Sequence, residues 1–219
     1  LAELFDFNAA RRSVDLATDE LCAARQELDR LDGAIGDGDH GSSVSRSFAT
    51  AREALPPISS SLAMTGPGDV LTAFGQRLLE RGVGASGSLY GVLFSSLGES
   101  LPAARAANLA ELATATEAAF RAVSEFCGAG LGSATLLDAL WPFADSLRES
   151  SSLALPLTEA LSRAAEAAAV GATRTAEMVP KAGRARSYGA SALGHPDPGA
   201  SSMALIARAV AVAVADDAG

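Results

Sequence analysis

Lysine is nearly missing from this chain. Lys181 stands alone, and 17 basic residues face 26 acidic ones, for a net charge of −9. That balance excludes a generic nucleic-acid surface, which needs clustered basic side chains to meet phosphate backbones. It also argues against docking on an anionic membrane. Aromatic residues make up only 5 % of a chain that is 48 % hydrophobic, so the core has to be built from Ala, Leu and Val. Cysteine is limited to Cys22 and Cys127, which form neither a disulfide framework nor a thiolate metal site. A reducing cytoplasm is therefore the expected location. No basic-then-apolar leader opens the chain, and Leu1 in place of Met is compatible with a segment of a longer polypeptide. The most apolar stretch, Met203 to Ala215, is too short to span a bilayer and contains Arg208. Signatures of known chemistries are missing too. There is no Gly-Lys-Ser/Thr, no dinucleotide or protein-kinase fingerprint and no nucleophile elbow.

What is abundant is alanine, the residue with the best helix propensity. Phe7, Ala10, Val14, Ala17, Leu21, Ala24, Leu28 and Leu31 recur at alternating spacings of three and four, one face of a long amphipathic helix. Similar periodicity predicts helices at 41–55, 67–82, 87–101, 108–127, 133–149, 156–178 and 200–215. Pro56-Pro57, Gly66-Pro67-Gly68, Pro102, Pro156 and Pro180 punctuate them. Pro142 should kink the sixth helix. "AVAVAVA" (209–215) alternates like a strand but has no partner strand, so it reads as helix. Met203, Phe74, Phe94 and Trp141, at helical spacing, read as core. The expectation is one all-α domain over residues 1–219, an eight-helix antiparallel up-and-down barrel.

In that arrangement connections 1–2, 3–4, 5–6 and 7–8 share one end. They read "GDGDHGSS", "GVGASGS", "CGAGLGSAT" and "GHPDPGASS", so all four Gly/Ser-rich motifs converge on one mouth. Each precedes a helix, and helix N-termini offer unpaired N–H groups and a positive dipole end. Such termini, with glycines allowing close approach, suit phosphate. The first motif also brings Asp32, Asp37 and Asp39 together. Those carboxylates would repel a bare phosphate, but a divalent metal between the two resolves the conflict. Mg²⁺, held by a few carboxylates plus substrate phosphates, fits. An EF-hand does not. Counting from Asp37, its sixth and twelfth positions would be Ser42 and Phe48, and phenylalanine cannot ligate calcium. The long connection Val179–Pro198 carries Lys181, Arg184 and Arg186, the densest positive charge in the chain, and reads as a binding loop at the mouth. Asp138, a turn into the sixth helix, reads as a dipole-compensating charge.

"AIGDGDHG", "GASGSLYG", "GSATLLDAL" and "GHPDPGA", in this order, resemble the nucleotide-binding L subunit or domain of dihydroxyacetone kinases. The resemblance implies an eight-helix barrel that binds ADP or ATP with two Mg²⁺ ions at one end. By motif position, Asp32, Asp37 and Asp39 would hold the metals and, with His40, serve catalysis. His40, Gly41, Ser42, Ser43, Ala85 and Ser86 would meet phosphates. Gly128, Thr135 and Leu136 would border the nucleotide, with Arg184, Asp197, Pro198 and Gly199 on the closing loop. The chain departs from the family pattern at Ser43, at Cys127, across 132–136 and between Arg184 and Gly194.

The family pairs this unit with a K subunit or domain that holds the triose through histidine. Both histidines here, His40 and His195, belong to nucleotide-end motifs, so this chain would be one half of a phosphotransferase. The acceptor implied is dihydroxyacetone or another short ketose. The donor is either exchangeable ATP or bound ADP rephosphorylated by a phosphotransferase-system phosphocarrier. A homodimer is compatible with the resemblance. A nucleotide-loaded regulatory module acting on a partner such as a transcription factor is the alternative reading.

Overall fold

The computed structural model describes residues 3–56 and 64–215. Pro57, one of the sequence punctuation points, lies outside them. Among the described residues are nine α-helices: α1 Phe7–Ala23, α2 Arg25–Ile35, α3 His40–Glu53, α4 Pro67–Arg81, α5 Gly84–Ser100, α6 Leu109–Cys127, α7 Leu137–Ser152, α8 Leu157–Arg174 and α9 Pro198–Ala215. Two 3₁₀ segments, Thr175–Glu177 and Arg184–Ala192, lie between α8 and α9. Extended pairing among these residues is limited to one isolated bridge, Phe5 with Ala107.

From α2 onward, helices adjacent in sequence pack together, and α1 meets α9 to close the ring. The all-α architecture is the expected one, with one change at its start. The predicted first helix divides at Ala24, whose φ and ψ of −85° and 2° leave the helical range. Hydrogen bonds cross the break, from the Ala24 N–H to the Glu20 carbonyl and from the Leu28 N–H to the Ala24 carbonyl, both 2.9 Å. The periodicity therefore survives a bend, and Leu21 and Leu28 are both buried on either side of it.

Other boundaries move for local reasons. Residues 133–136, read as the start of the sixth helix, form a tight turn in which Gly132 and Ala134 take positive φ. Helix α7 runs through Pro142 without a break. Proline cannot donate to the Asp138 carbonyl four residues back. That carbonyl lies against Gly171 instead, so close that a Cβ there would stand 2.2 Å from it. The helical reading of residues 209–215 holds. Helix α9 is the only described helix long and apolar enough to cross a membrane, and half of it is buried inside the protein.

The core follows from composition. Leu21, Leu28, Leu78, Leu137, Leu140, Leu147 and Leu161 are sealed off, with alanines letting the helices approach. The scarce aromatics gather at one place. Phe48, Phe74, Tyr90 and Phe94 form edge-to-face pairs with ring centroids 5.0 to 5.7 Å apart. Trp141 departs from the core reading. It is only half-buried and rests on Phe120 at 4.9 Å.

Helices α4 and α5 pack backbone against backbone because glycine sits at their crossing. A Cβ on Gly75 would stand 2.3 Å from the Ser95 nitrogen, and one on Gly98 would stand 2.3 Å from the Thr72 nitrogen. The two α5 glycines after "GASGS", Gly91 and Gly98, thus serve helix packing rather than the mouth. Gly75→Ala should therefore lower stability by about 1–3 kcal/mol through overpacking. The change would oppose the roughly 1 kcal/mol that alanine gains over glycine in a helix. Urea denaturation of the variant beside the native chain checks the sign.

Candidate functional site

All four end segments meet around one cavity of about 160 Å³. Its walls take Asp32, Asp39, His40 and Ser43 from the first motif, and Gly84, Ala85, Ser86 and Tyr90 from the second. Thr135 and Leu136 come from the third, Arg184 from the long connection, and Asp197, Pro198 and Gly199 from the fourth. Asp37 stands just outside, in an adjoining depression beside Arg184 and Tyr188. Three expected contacts are not brought in. Gly41 is a packing position between α2 and α3, where a Cβ would stand 2.0 Å from the Arg25 carbonyl oxygen. Ser42 turns toward Arg25 and Asp29. Gly128 is the left-handed C-cap of α6, exposed and away from the cavity walls. His195 is exposed and lines none of the cavity.

Asp32 organises the acidic cluster. It is buried, and its Oδ2 accepts the N–H groups of Asp39 at 2.9 Å and His40 at 3.3 Å. Those bonds fold the 36–39 loop back over the end of α2. Each of Asp32, Asp37 and Asp39 then offers a carboxylate oxygen within 4.8 Å of the others. Three hard oxygen donors at that spacing suit Mg²⁺ better than softer metals. The Arg184 guanidinium bonds both exposed members, Asp37 and, at 3.2 Å, Asp39. Tyr188 adds a second tie, its hydroxyl donating to the Gly36 carbonyl at 3.1 Å. A third is apolar, since Ala185 and Ala192 pack on Ile35. The 3₁₀ segment Arg184–Ala192 thus lies down on the acidic loop itself.

The four helix N-termini are not equivalent, which corrects the expectation that all of them present free N–H groups. On α3, the His40 N–H is taken by Asp32, and the Ser42 N–H by Asp29 at 2.8 Å. At α7, Asp138 accepts from Gly132 at 2.6 Å and Thr135 at 3.0 Å in the turn before the helix, while the Leu137, Asp138 and Ala139 N–H groups are taken by the Thr135 hydroxyl and the Thr135 and Leu136 carbonyls. At α9, Asp197 accepts the Ala200 N–H at 2.7 Å. Only α5 begins without a carboxylate or any other side-chain cap, at the exposed Gly84-Ala85 followed by Ser86. Its first turn is the one free to receive an anion.

A family model described as the DAK2 domain matches residues 34–212. The chain belongs to the DAK2 domain family. The ADP-binding subunit DhaL of the PEP-dependent dihydroxyacetone kinase from Escherichia coli is 34 % identical over 186 residues, covering 85 % of this chain and 87 % of that protein. The D-erythrulose kinase of Mycolicibacterium smegmatis is 36 % identical over 217 residues, covering 96 % of this chain but 37 % of that kinase. The DAK2 chain therefore spans little more than a third of that larger relative. The crystal structure of the C. freundii dihydroxyacetone kinase in its native form superposes with a TM-score of 0.67 at 27 % identity, covering 93 % of this chain and 34 % of that one. The same kinase in complex with AMP-PNP and Mg²⁺ gives a TM-score of 0.68 at 24 % identity, over 97 % and 35 % of the two chains.

Several residues of this DAK2 site are not singled out by sequence reasoning. Asp29 lies one turn before Asp32, so both carboxylates share a face of α2, a spacing that was readable. Thr175, whose hydroxyl accepts the Asp197 N–H at 2.8 Å, carries no local signal. Burial sets the electrostatics. It lowers the pKa of His40, against the opposing pull of Asp32 and Asp29. It raises the Tyr90 phenol above its ordinary value. It pushes the Asp197 carboxyl up to about 7, opposed mainly by the Ala200 N–H.

A raised carboxyl pKa means that the folded DAK2 chain holds a proton which the unfolded chain releases. This group's contribution to stability is therefore full below its unperturbed value of 3.8 and falls as pH rises toward 7. Asp197→Asn keeps the acceptor for Ala200 and removes the titration. In metal-free buffer the variant should gain melting temperature relative to the native chain between pH 4 and about 7. A difference that stays constant across that range would contradict the assignment.

Proposed function

We propose that this chain is the nucleotide-binding half of a short-ketose kinase of the dihydroxyacetone type. In this reading residues 1–219 form one nucleotide-binding domain. It passes phosphate from Mg-ATP, or from bound ADP rephosphorylated by a phosphotransferase-system phosphocarrier, to a ketose held on a K-type partner. The observation that carries the reading is one cavity joining Asp32 and Asp39, with Asp37 at its edge, to an uncapped helix N-terminus. The names of the relatives point the same way: an ADP-binding subunit, an erythrulose kinase, and a kinase crystallised with AMP-PNP and Mg²⁺. A cytoplasmic setting suits a reaction that draws on ATP or a phosphocarrier.

Asp32, Asp37 and Asp39 would hold the two magnesium ions. Bound there, Mg²⁺ would supply positive charge to neutralise the phosphate oxygens. The N–H groups of Gly84, Ala85 and Ser86 would take the phosphates, with the α5 dipole behind them. Arg184 would add a planar, permanently charged partner on the opposite wall. Ser43, Thr135, Leu136, Asp197, Pro198 and Gly199 would border the nucleotide, and His40 would face the reacting end. Phosphoryl transfer asks the protein chiefly for positioning and charge neutralisation. These groups supply both, but nothing among them captures a carbonyl substrate. A partner docked over the mouth would bring that substrate and exclude water as a competing acceptor.

Asp37→Asn or Asp39→Asn should abolish Mg²⁺-dependent nucleotide binding while leaving helicity intact. Calorimetry in magnesium together with far-ultraviolet circular dichroism reads both quantities. Unchanged affinity in both variants would sink the metal assignment.

The purified chain alone, given Mg-ATP and dihydroxyacetone, should form no triose phosphate, and adding a K-type subunit with ATP or a phosphotransferase-system donor should start turnover. A rate on the order of 1 s⁻¹ from the isolated chain, ordinary for a complete kinase, would overturn the half-enzyme reading. Rapid exchange of labelled nucleotide favours the ATP route, and tightly retained ADP the phosphocarrier route.

A further inference from the structure

Beneath the cavity a hydroxyl pair links α3, α5 and α9. Ser202 is fully buried, and its Oγ stands 2.9 Å from His40 Nε2, 2.7 Å from the Tyr90 hydroxyl and 3.0 Å from the Gly199 carbonyl oxygen. The Tyr90 hydroxyl also reaches that carbonyl, at 3.3 Å. We propose that Ser202 and Tyr90 are positioning residues that hold His40 as its Nε2–H tautomer, so that Nδ1 presents a lone pair to the cavity.

The reasoning is a proton count. Two hydroxyls bring two protons. Oxygens 2.7 Å apart need one of them between them. The Gly199 carbonyl can only accept, and a helical serine commonly donates back to a carbonyl in the preceding turn. If Ser202 serves Gly199, Tyr90 serves Ser202. If Tyr90 serves Gly199, Ser202 serves Tyr90. With a hydroxyl serving Gly199 both protons are used, and the bond between Ser202 and His40 takes its proton from the ring. The other arrangement, Tyr90 to Ser202 to His40, would leave Gly199 to its helical N–H alone and put the ring proton on Nδ1, the outcome the test below excludes. The other ring nitrogen has no protein partner among the described residues, and the ring lines the cavity.

The tautomer of a histidine is set by the hydrogen bond its far nitrogen makes. The neutral ring held this way cannot donate from Nδ1 to a phosphate oxygen. It can only accept, which narrows what His40 does in the proposed phosphoryl transfer. That consequence rests on reading the cavity as the nucleotide site. The tautomer itself does not, because it is measured on the ligand-free chain.

The test is a long-range ¹H–¹⁵N correlation spectrum of the full chain labelled with ¹⁵N-histidine, in mildly alkaline buffer. His195→Gln leaves His40 as the sole signal. The expected pattern is a protonated Nε2 and an unprotonated Nδ1. Ser202→Ala should collapse it to a mixture of both tautomers, and Ser202→Thr, which restores the hydroxyl, should recover it. Tyr90→Phe keeps the ring packed against Phe48 but removes one of the two protons, and should shift the population toward the mixture. A protonated Nδ1 in the native chain overturns the proposal even if the Ser202 variant fails to fold. So does a Ser202→Ala spectrum identical to the native one.

Discussion

A single buried carboxylate, Asp32, ties the helical scaffold to its chemistry. By accepting two N–H groups from the start of α3, it turns the chain through the 36–39 loop and caps the helix that follows. The cost of burying a carboxylate is offset by bonds to N–H groups that would otherwise lack partners. Asp37 and Asp39 stand close to Asp32 because this turn is made. Asp29 repeats the device one helical turn earlier, so α2 and α3 are joined by two carboxylates rather than by apolar contact alone.

The barrel was legible because its signals are redundant. Every helix has an apolar face, most have a proline or glycine near an end, and most links are short. An error at one position, such as the bend at Ala24 or the turn at 132–136, leaves the order of the ring unchanged. The convergence of four connections at one mouth followed from topology alone and needed no exact boundary. Placement within the mouth was harder. Gly41 and Gly128 carry the same letter as glycines that approach a ligand, yet one packs against the Arg25 carbonyl and the other ends a helix. Which N–H groups are free depends on carboxylates from elsewhere. Asp32 and Asp29 occupy N–H groups of α3, and the 132–136 turn occupies those of α7, which no reading of "HGSS" or "GSAT" in isolation reveals.

Composition and site are linked as well. With few aromatics to fill volume, the helices close up on alanine and glycine, as where α4 crosses α5. The second motif sits at the end of that pair, so the uncapped α5 N-terminus rests on a closely packed part of the barrel. The four-ring cluster around Phe48 supports it from below and includes Tyr90, which touches both the core and the site. Rigid elements hold a binding constellation more accurately than loops do.

The salt bridges from Arg184 to Asp37 and Asp39 bear on how such a site can be assembled at all. Three clustered carboxylates are a liability to a newly made polypeptide, since their repulsion works against folding until something positive arrives. Here the positive group is encoded 145 residues downstream of Asp39 in the same chain. The barrel can finish folding with part of that charge offset from within, ahead of any ion. An ion entering as proposed above would exchange one positive partner of these carboxylates for another, on a framework already in place.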